Sequence, residues 1–110
     1  MALARKTCVP CQAGMPPLKP SEVAVLLREL NGWQVMDGKK LFKRIKVENF
    51  AQSLELANRV GAIAEQQNHH PDLLVRWGAL SIEIWTHAID GLTENDFILA
   101  AKIDNELNDA

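Results

Sequence analysis

The sequence predicts an α+β fold: a four-stranded antiparallel sheet with three helices packed on one face, in the order α-β-β-α-β-β-α. Three observations lead there. Two stretches alternate around a glycine-containing turn, three others repeat apolar residues at helical spacing, and the two kinds interleave along the chain. Hairpins interspersed with helices form an antiparallel sheet whose apolar face needs a cover, and the helices supply it.

Residues 1–19 show no sustained period and read as a flexible N-terminal arm, with residues 20–110 as the folded domain. Within the arm, Cys8 and Cys11 form one Cys-x-x-Cys. That spacing is half a zinc site or a redox pair, but neither flanking context follows, and an incidental pair is the simplest reading. The first helix is "SEVAVLLRELNG", with Ser21 as cap, an apolar stripe of Val23, Leu26, Leu27 and Leu30, and Asn31-Gly32 at its end. "WQVMDGKKLFKRIKV" is a hairpin about Asp37-Gly38, a dipeptide that tight turns favour. Its second strand carries five basic residues between Lys39 and Lys46, read as a solvated face.

"ENFAQSLELANRVGAIAEQQ" is the longest helix, with Asn49 and Gln52 in capping-box spacing and Phe50, Leu54, Ala57, Val60, Gly61 and Ala64 at helical intervals. "LLVRW" and "ALSIEIWT" make the second hairpin around Gly78, and "TENDFILAAKIDNEL" is the last helix, with Thr93 and Asp96 again in capping-box spacing.

Bulk composition excludes several function classes. The 110 residues are 47% hydrophobic and 24% charged, an ordinary globular balance sufficient for one modest core. A formal charge of −2 gives no reason to expect nucleic acid or a membrane surface as partner. No apolar run approaches the roughly 20 residues of a membrane span. The opening "MALARKTCVPC" lacks the apolar run of a secretory signal, so a cytoplasmic protein is expected.

The chain has only three histidines, and two of them, His69 and His70, stand side by side before Pro71. The third is His87, in "IEIWTHAID". A two-residue turn at Gly78-Ala79 would set Val75 opposite Ile82, Leu73 opposite Ile84 and Pro71 opposite Thr86 on the core face. On the other face His70 would meet His87, with Cβ atoms about 5 Å apart. Pro71 cannot continue the long helix and pushes His70 into an extended conformation, leaving His69 at the helix end. Glu65, four residues before His69, would share its helix face.

A single histidine at a helix end is most simply a structural cap; three converging at one sheet end point to chemistry. A metal would need a third or fourth ligand, which Glu65 could supply, but adjacent histidines chelate poorly. Proton transfer needs only groups that titrate near neutrality within reach of a substrate, and histidine serves in either direction. Acid–base chemistry is the better fit.

The stretch "EQQNHHPDLLVRWGALSIEIWTH" resembles the pterin-4a-carbinolamine dehydratase family. The family's His-His-Pro, strand aromatic, alternating aliphatics and Thr-His fall here on His69, His70, Pro71, Trp77, Ile82, Ile84, Thr86 and His87. The likeness extends to Gly32-Trp33, "LFKRIKV", "FAQSLELANRVGAIAE" and "GLTENDFILAAKID". The resemblance implies loss of water from 4a-hydroxytetrahydropterin to give quinonoid dihydropterin, with no metal or organic cofactor, in a homodimer or homotetramer. It implies His69, His70 and His87 as the catalytic set, with Glu65, Asn68, Pro71, Thr86 and Ala88 around the pterin ring and Asp96, at the start of the last helix, beside them to orient a histidine. Trp33 is an aromatic wall or a core residue. Two positions depart from the pattern of animal members, where Asn68 is frequently acidic and Trp85 is small. The alternative is a non-catalytic member that binds or assembles another protein.

Overall fold

Alternation in the two hairpins becomes one antiparallel sheet in the order β1-β2-β4-β3 in a computed structural model that describes residues 2–9 and 15–108. The elements are α1 (Ala2–Arg5), α2 (Pro20–Leu27), β1 (Gln34–Met36), β2 (Lys40–Lys46), α3 (Phe50–Gln67), β3 (Asp72–Arg76), β4 (Ala79–Ile84) and α4 (Glu94–Asn108). The predicted fold class holds, with one correction: there are four helices among the described residues, not three. The fourth, α1, is a single turn in the N-terminal arm, too short for a periodic signal. Its Leu3 is nevertheless 1% exposed and belongs to the core. Cys11, and with it the Cys8–Cys11 pair, lies outside the described residues.

The core lies between one sheet face and the helices. Leu41 of β2 and Leu80, Ile82 and Ile84 of β4 are buried there against Val60 and Ala64 of α3 and Phe97, Leu99 and Ile103 of α4. The buried residues of α3 are Ser53, Leu56, Val60 and Ala64, whereas Phe50 and Leu54, expected on the apolar stripe, are exposed. Two apolar stripes compete on this helix, and the core takes the one that continues through Leu56. Helix α2 begins at Pro20 rather than after Ser21: proline suits the first helical position, and the Glu22 carboxylate accepts from the Lys19 N–H at 2.8 Å. The basic run is in part less solvated than expected, because Lys40 and Lys43 of β2 reach Glu83 and Asp104, while Lys39 just before the strand pairs with Asp90 in the open.

The first hairpin turns at Asp37-Gly38, both at positive φ, where glycine and short polar residues are tolerated. The second departs from expectation. Its turn is Trp77-Gly78, so Leu73 pairs with Ile82, Val75 with Leu80 and Arg76 with Ala79. Moving a two-residue turn by one position slides the partner strand by two residues, which keeps every side chain on its own face. Hydrophobic alternation therefore cannot choose between the two registers. An N–H from Val47 to the Gly78 carbonyl, at 3.1 Å, anchors the turn observed. His70 and His87 are consequently not cross-strand partners: β3 begins at Asp72 and β4 ends at Ile84, short of both.

Candidate functional site

Helix α3 ends in a chain reversal that aims the two adjacent histidines apart. Asn68 adopts the left-handed conformation (φ 52°), a setting that asparagine tolerates better than most residues with a Cβ. Its N–H donates to the Glu65 carbonyl (3.3 Å) and that of His69 returns to Ala64 (3.2 Å), the pair of bonds that closes a helix with a left-handed residue. Both histidines thus lie beyond the helix, and the expected pairing of Glu65 with His69 is replaced. Glu65 Oε2 meets His70 Nε2 at 2.5 Å instead, in an exposed pair.

His69 turns inward to Asp96. That carboxylate is 0% exposed and is held in the first turn of α4, where the helix dipole favours negative charge. Its Oδ1 lies 2.6 Å from His69 Nε2, and its Oδ2 accepts from the Thr86 hydroxyl (2.9 Å) and the Thr93 N–H (2.8 Å). A buried carboxylate is tolerable only when its lone pairs are used in this way. With Nε2–H donated to Asp96, Nδ1 is the nitrogen His69 has left for another molecule. The Thr93–Asp96 bond is one half of the capping box expected from spacing, so the residues that start α4 also orient an imidazole.

His87 follows Thr86 directly and stands in the turn 87–90, whose feet are joined by the Thr86 N–H donating to the Gly91 carbonyl at 2.9 Å. It is exposed and stacks on Trp85, with ring centroids 4.1 Å apart and planes tilted 44°. Lys40 Nζ lies 4.2 Å from the centroid of the same indole. Ala88 is exposed in the same turn, and Pro71 is half-buried after the two histidines. Trp33 is elsewhere: it is buried and donates its indole N–H to Asp104, two turns of α4 beyond Asp96.

The structure thus gathers His69, Thr86 and Asp96 into one bonded cluster, sets His87 beside it through the chain, and gives His70 to Glu65. It adds residues the sequence reading missed. Thr93 bonds both Asp96 and the Thr86 hydroxyl, the latter at 2.9 Å. Gln67 Oε1 accepts from the Cys8 N–H (3.0 Å), and Asn95 binds Val9 through both ends of its amide. Thr93 was signalled by the capping spacing. Gln67 and Asn95 had no signal, since their partners lie in an aperiodic segment far away in sequence. Two chemical capacities follow: a fixed imidazole with one nitrogen not engaged by Asp96, and two exposed imidazoles able to take or give a proton.

Comparison with known proteins identifies the family. A Rickettsia canadensis (strain McKiel) protein provisionally named pterin-4-alpha-carbinolamine dehydratase is 53% identical over 106 residues, covering 96% of this chain and 97% of the relative. The crystal structure of a transcriptional coactivator/pterin dehydratase from Brucella melitensis superposes with a TM-score of 0.74 at 29% identity, over 81% of this chain and 96% of that one. A pterin dehydratase-like protein described as a RuBisCO assembly factor in the alpha-carboxysome shares the fold alone, with a TM-score of 0.56 at 20% identity, over 70% and 90% of the two chains. The family model described as Pterin 4 alpha carbinolamine dehydratase matches residues 16–106, which include the three histidines, Thr86 and Asp96, and the chain belongs to that family.

Proposed function

We propose that this protein removes water from 4a-hydroxytetrahydropterin to give quinonoid dihydropterin, with its histidines as acid and base. The observation that supports this most is the buried Asp96, which holds His69 and Thr86 together next to His87. In the reaction the C4a–O bond breaks and the C4a=N5 double bond forms. An acid gives a proton to the departing hydroxyl, which leaves as water, and a base takes the N5 proton, so the enzyme ends with the protons it began with. His69, oriented through Nε2, presents Nδ1 at a fixed position, while His70 and His87 are the exposed partners for the second transfer. Proton transfer by a positioned side chain contributes about 10²–10⁴-fold. Purified protein should therefore accelerate dehydration of synthetic 4a-hydroxytetrahydropterin, and His87→Ala should remove most of that acceleration, at least about tenfold and up to the full range of such steps. Wild-type protein no faster than buffer would refute the reading.

A non-catalytic binding role is the second reading. It draws support from the exposed apolar residues Phe50 and Leu54 on α3 and Leu74 and Trp77 on the second hairpin, which suit a protein partner or a further copy in a homodimer or homotetramer. Activity surviving in Phe50→Ser/Leu54→Ser protein whose oligomeric mass has fallen would assign these residues to assembly alone.

A further inference from the structure

The N-terminal arm is tied down beside His69 by contacts that have no role in forming the sheet. Leu3 of α1 is sunk in the core, and Lys102 Nζ donates to the Ala4 carbonyl at 2.8 Å. Lys6 Nζ pairs with Glu94 at 2.7 Å. The next residues run along the start of α4: the Val9 N–H donates to Asn95 Oδ1 (3.0 Å) and Asn95 Nδ2 donates back to the Val9 carbonyl (2.5 Å). The side-chain amide of Asn95, itself buried, thus pairs with both backbone groups of Val9 as a neighbouring strand would. The Cys8 N–H is held from the other side by Gln67 Oε1 at 3.0 Å.

Between this segment and the end of α3 lies a cavity of about 310 Å³, lined by Thr7, Cys8 and Val9 and by Asn68, His69 and Asn95, among others. Its size is at the lower end of the about 300–1,000 Å³ typical of small-molecule sites. A larger hollow of about 470 Å³ shares Thr7, Val9 and Asn95 but touches no histidine. Resting on the dehydratase reading, we propose that Thr7–Val9 form a wall of the pterin-binding cavity at His69, and that Asn95 is the positioning residue that holds this wall. The lining, rich in side-chain amides and, among the described residues, bearing no lysine, arginine, aspartate or glutamate, suits a neutral heterocycle whose edge alternates donors and acceptors. The wall lies before residue 16, where the match to the family model begins.

Two variants and one footprint test the proposal in the full chain. Asn95→Leu retains bulk but cannot bond Val9. It should weaken binding of 7,8-dihydropterin by about tenfold, the scale of a neutral hydrogen-bonded contact, and raise KM for the 4a-hydroxy substrate by more than it lowers kcat. Thr7→Tyr, at an exposed position that leaves the α4 contacts intact, should weaken dihydropterin binding similarly by filling the cavity. In wild-type protein, site-resolved mass spectrometry should show alkylation of Cys8 slowed by dihydropterin at concentrations near its Kd. Variants that bind as wild type, with Cys8 alkylated equally fast with and without dihydropterin, would overturn the wall while leaving the dehydratase intact. Wild-type protein that neither binds dihydropterin nor accelerates dehydration would overturn both.

Discussion

Two adjacent imidazoles meet two carboxylates in opposite settings: His69 against Asp96, which is 0% exposed, and His70 against Glu65, which is 78% exposed. Both contacts are short, at 2.6 and 2.5 Å, so distance alone would rank them together. Burial separates them. Asp96 accepts three donors in a dry environment, and any movement would leave at least one of them unsatisfied. Glu65 and His70 can exchange each other for water at little cost, and salt screens what attraction remains. The first pair is a fixed reference; the second is an adjustable contact. Under the proposed dehydration, the first would orient a ring and the second would be free to pass protons.

The sharpest way to break the contrast is Asp96→Asn. An amide of the same shape offers one acceptor where the carboxylate offered two, so a donor among Thr86, Thr93 and His69 is left facing an NH₂. Stability should fall by about 1–3 kcal/mol in urea titration, and dehydration by about 10²-fold or more as His69 loses its tautomer and aim. Glu65→Gln is the matching change on the exposed side. It should alter stability by less than about 1 kcal/mol and activity by no more than about tenfold, with an effect that shrinks as salt rises. If the two substitutions cost the same, burial is not what distinguishes the histidines. The smallest effect belongs to Trp85→Phe. A smaller ring still stacks on His87, so kcat should change by only about two- to threefold, within the 0.5–1.5 kcal/mol worth of an aromatic pair, with folding unaffected.

Much of this was legible in the sequence because periodicity and capping are local. Thr93 and Asp96 announced the start of α4, Asn49 capped α3 as expected by accepting the Gln52 N–H at 2.8 Å, and Asp37-Gly38 turned the first hairpin. The second hairpin went two residues astray because both registers bury Leu73, Val75, Leu80, Ile82 and Ile84. What parity cannot see is the anchoring of the turn, where the Val47 N–H meets the Gly78 carbonyl and the Ser53 hydroxyl the Ala79 carbonyl. Asn68 was legible as a departure from an acidic pattern but not as what it is, a helix terminator in the left-handed conformation, whose backbone matters as much as its lack of charge. Asp96 was expected to orient a histidine, but which one, and that Glu65 would meet His70 rather than His69, were out of reach for the same reason: one left-handed residue sets the direction of everything after it.

Helix α4 carries a second buried aspartate, and its position has a mechanical meaning. Asp104 accepts from the Asn31 N–H (2.9 Å), the Trp33 indole (2.9 Å) and Lys43 Nζ (2.8 Å). Eight residues of helix separate it from Asp96, about 12 Å along the axis. The helix is thus a strut bolted at two points, one to the histidine cluster and one to the first hairpin and the loop before it. It can neither slide nor turn about its axis without breaking a carboxylate free at one end. Trp33 and Lys43, which bond Asp104 and not the histidine cluster, therefore help to set where along that axis Asp96 comes to rest.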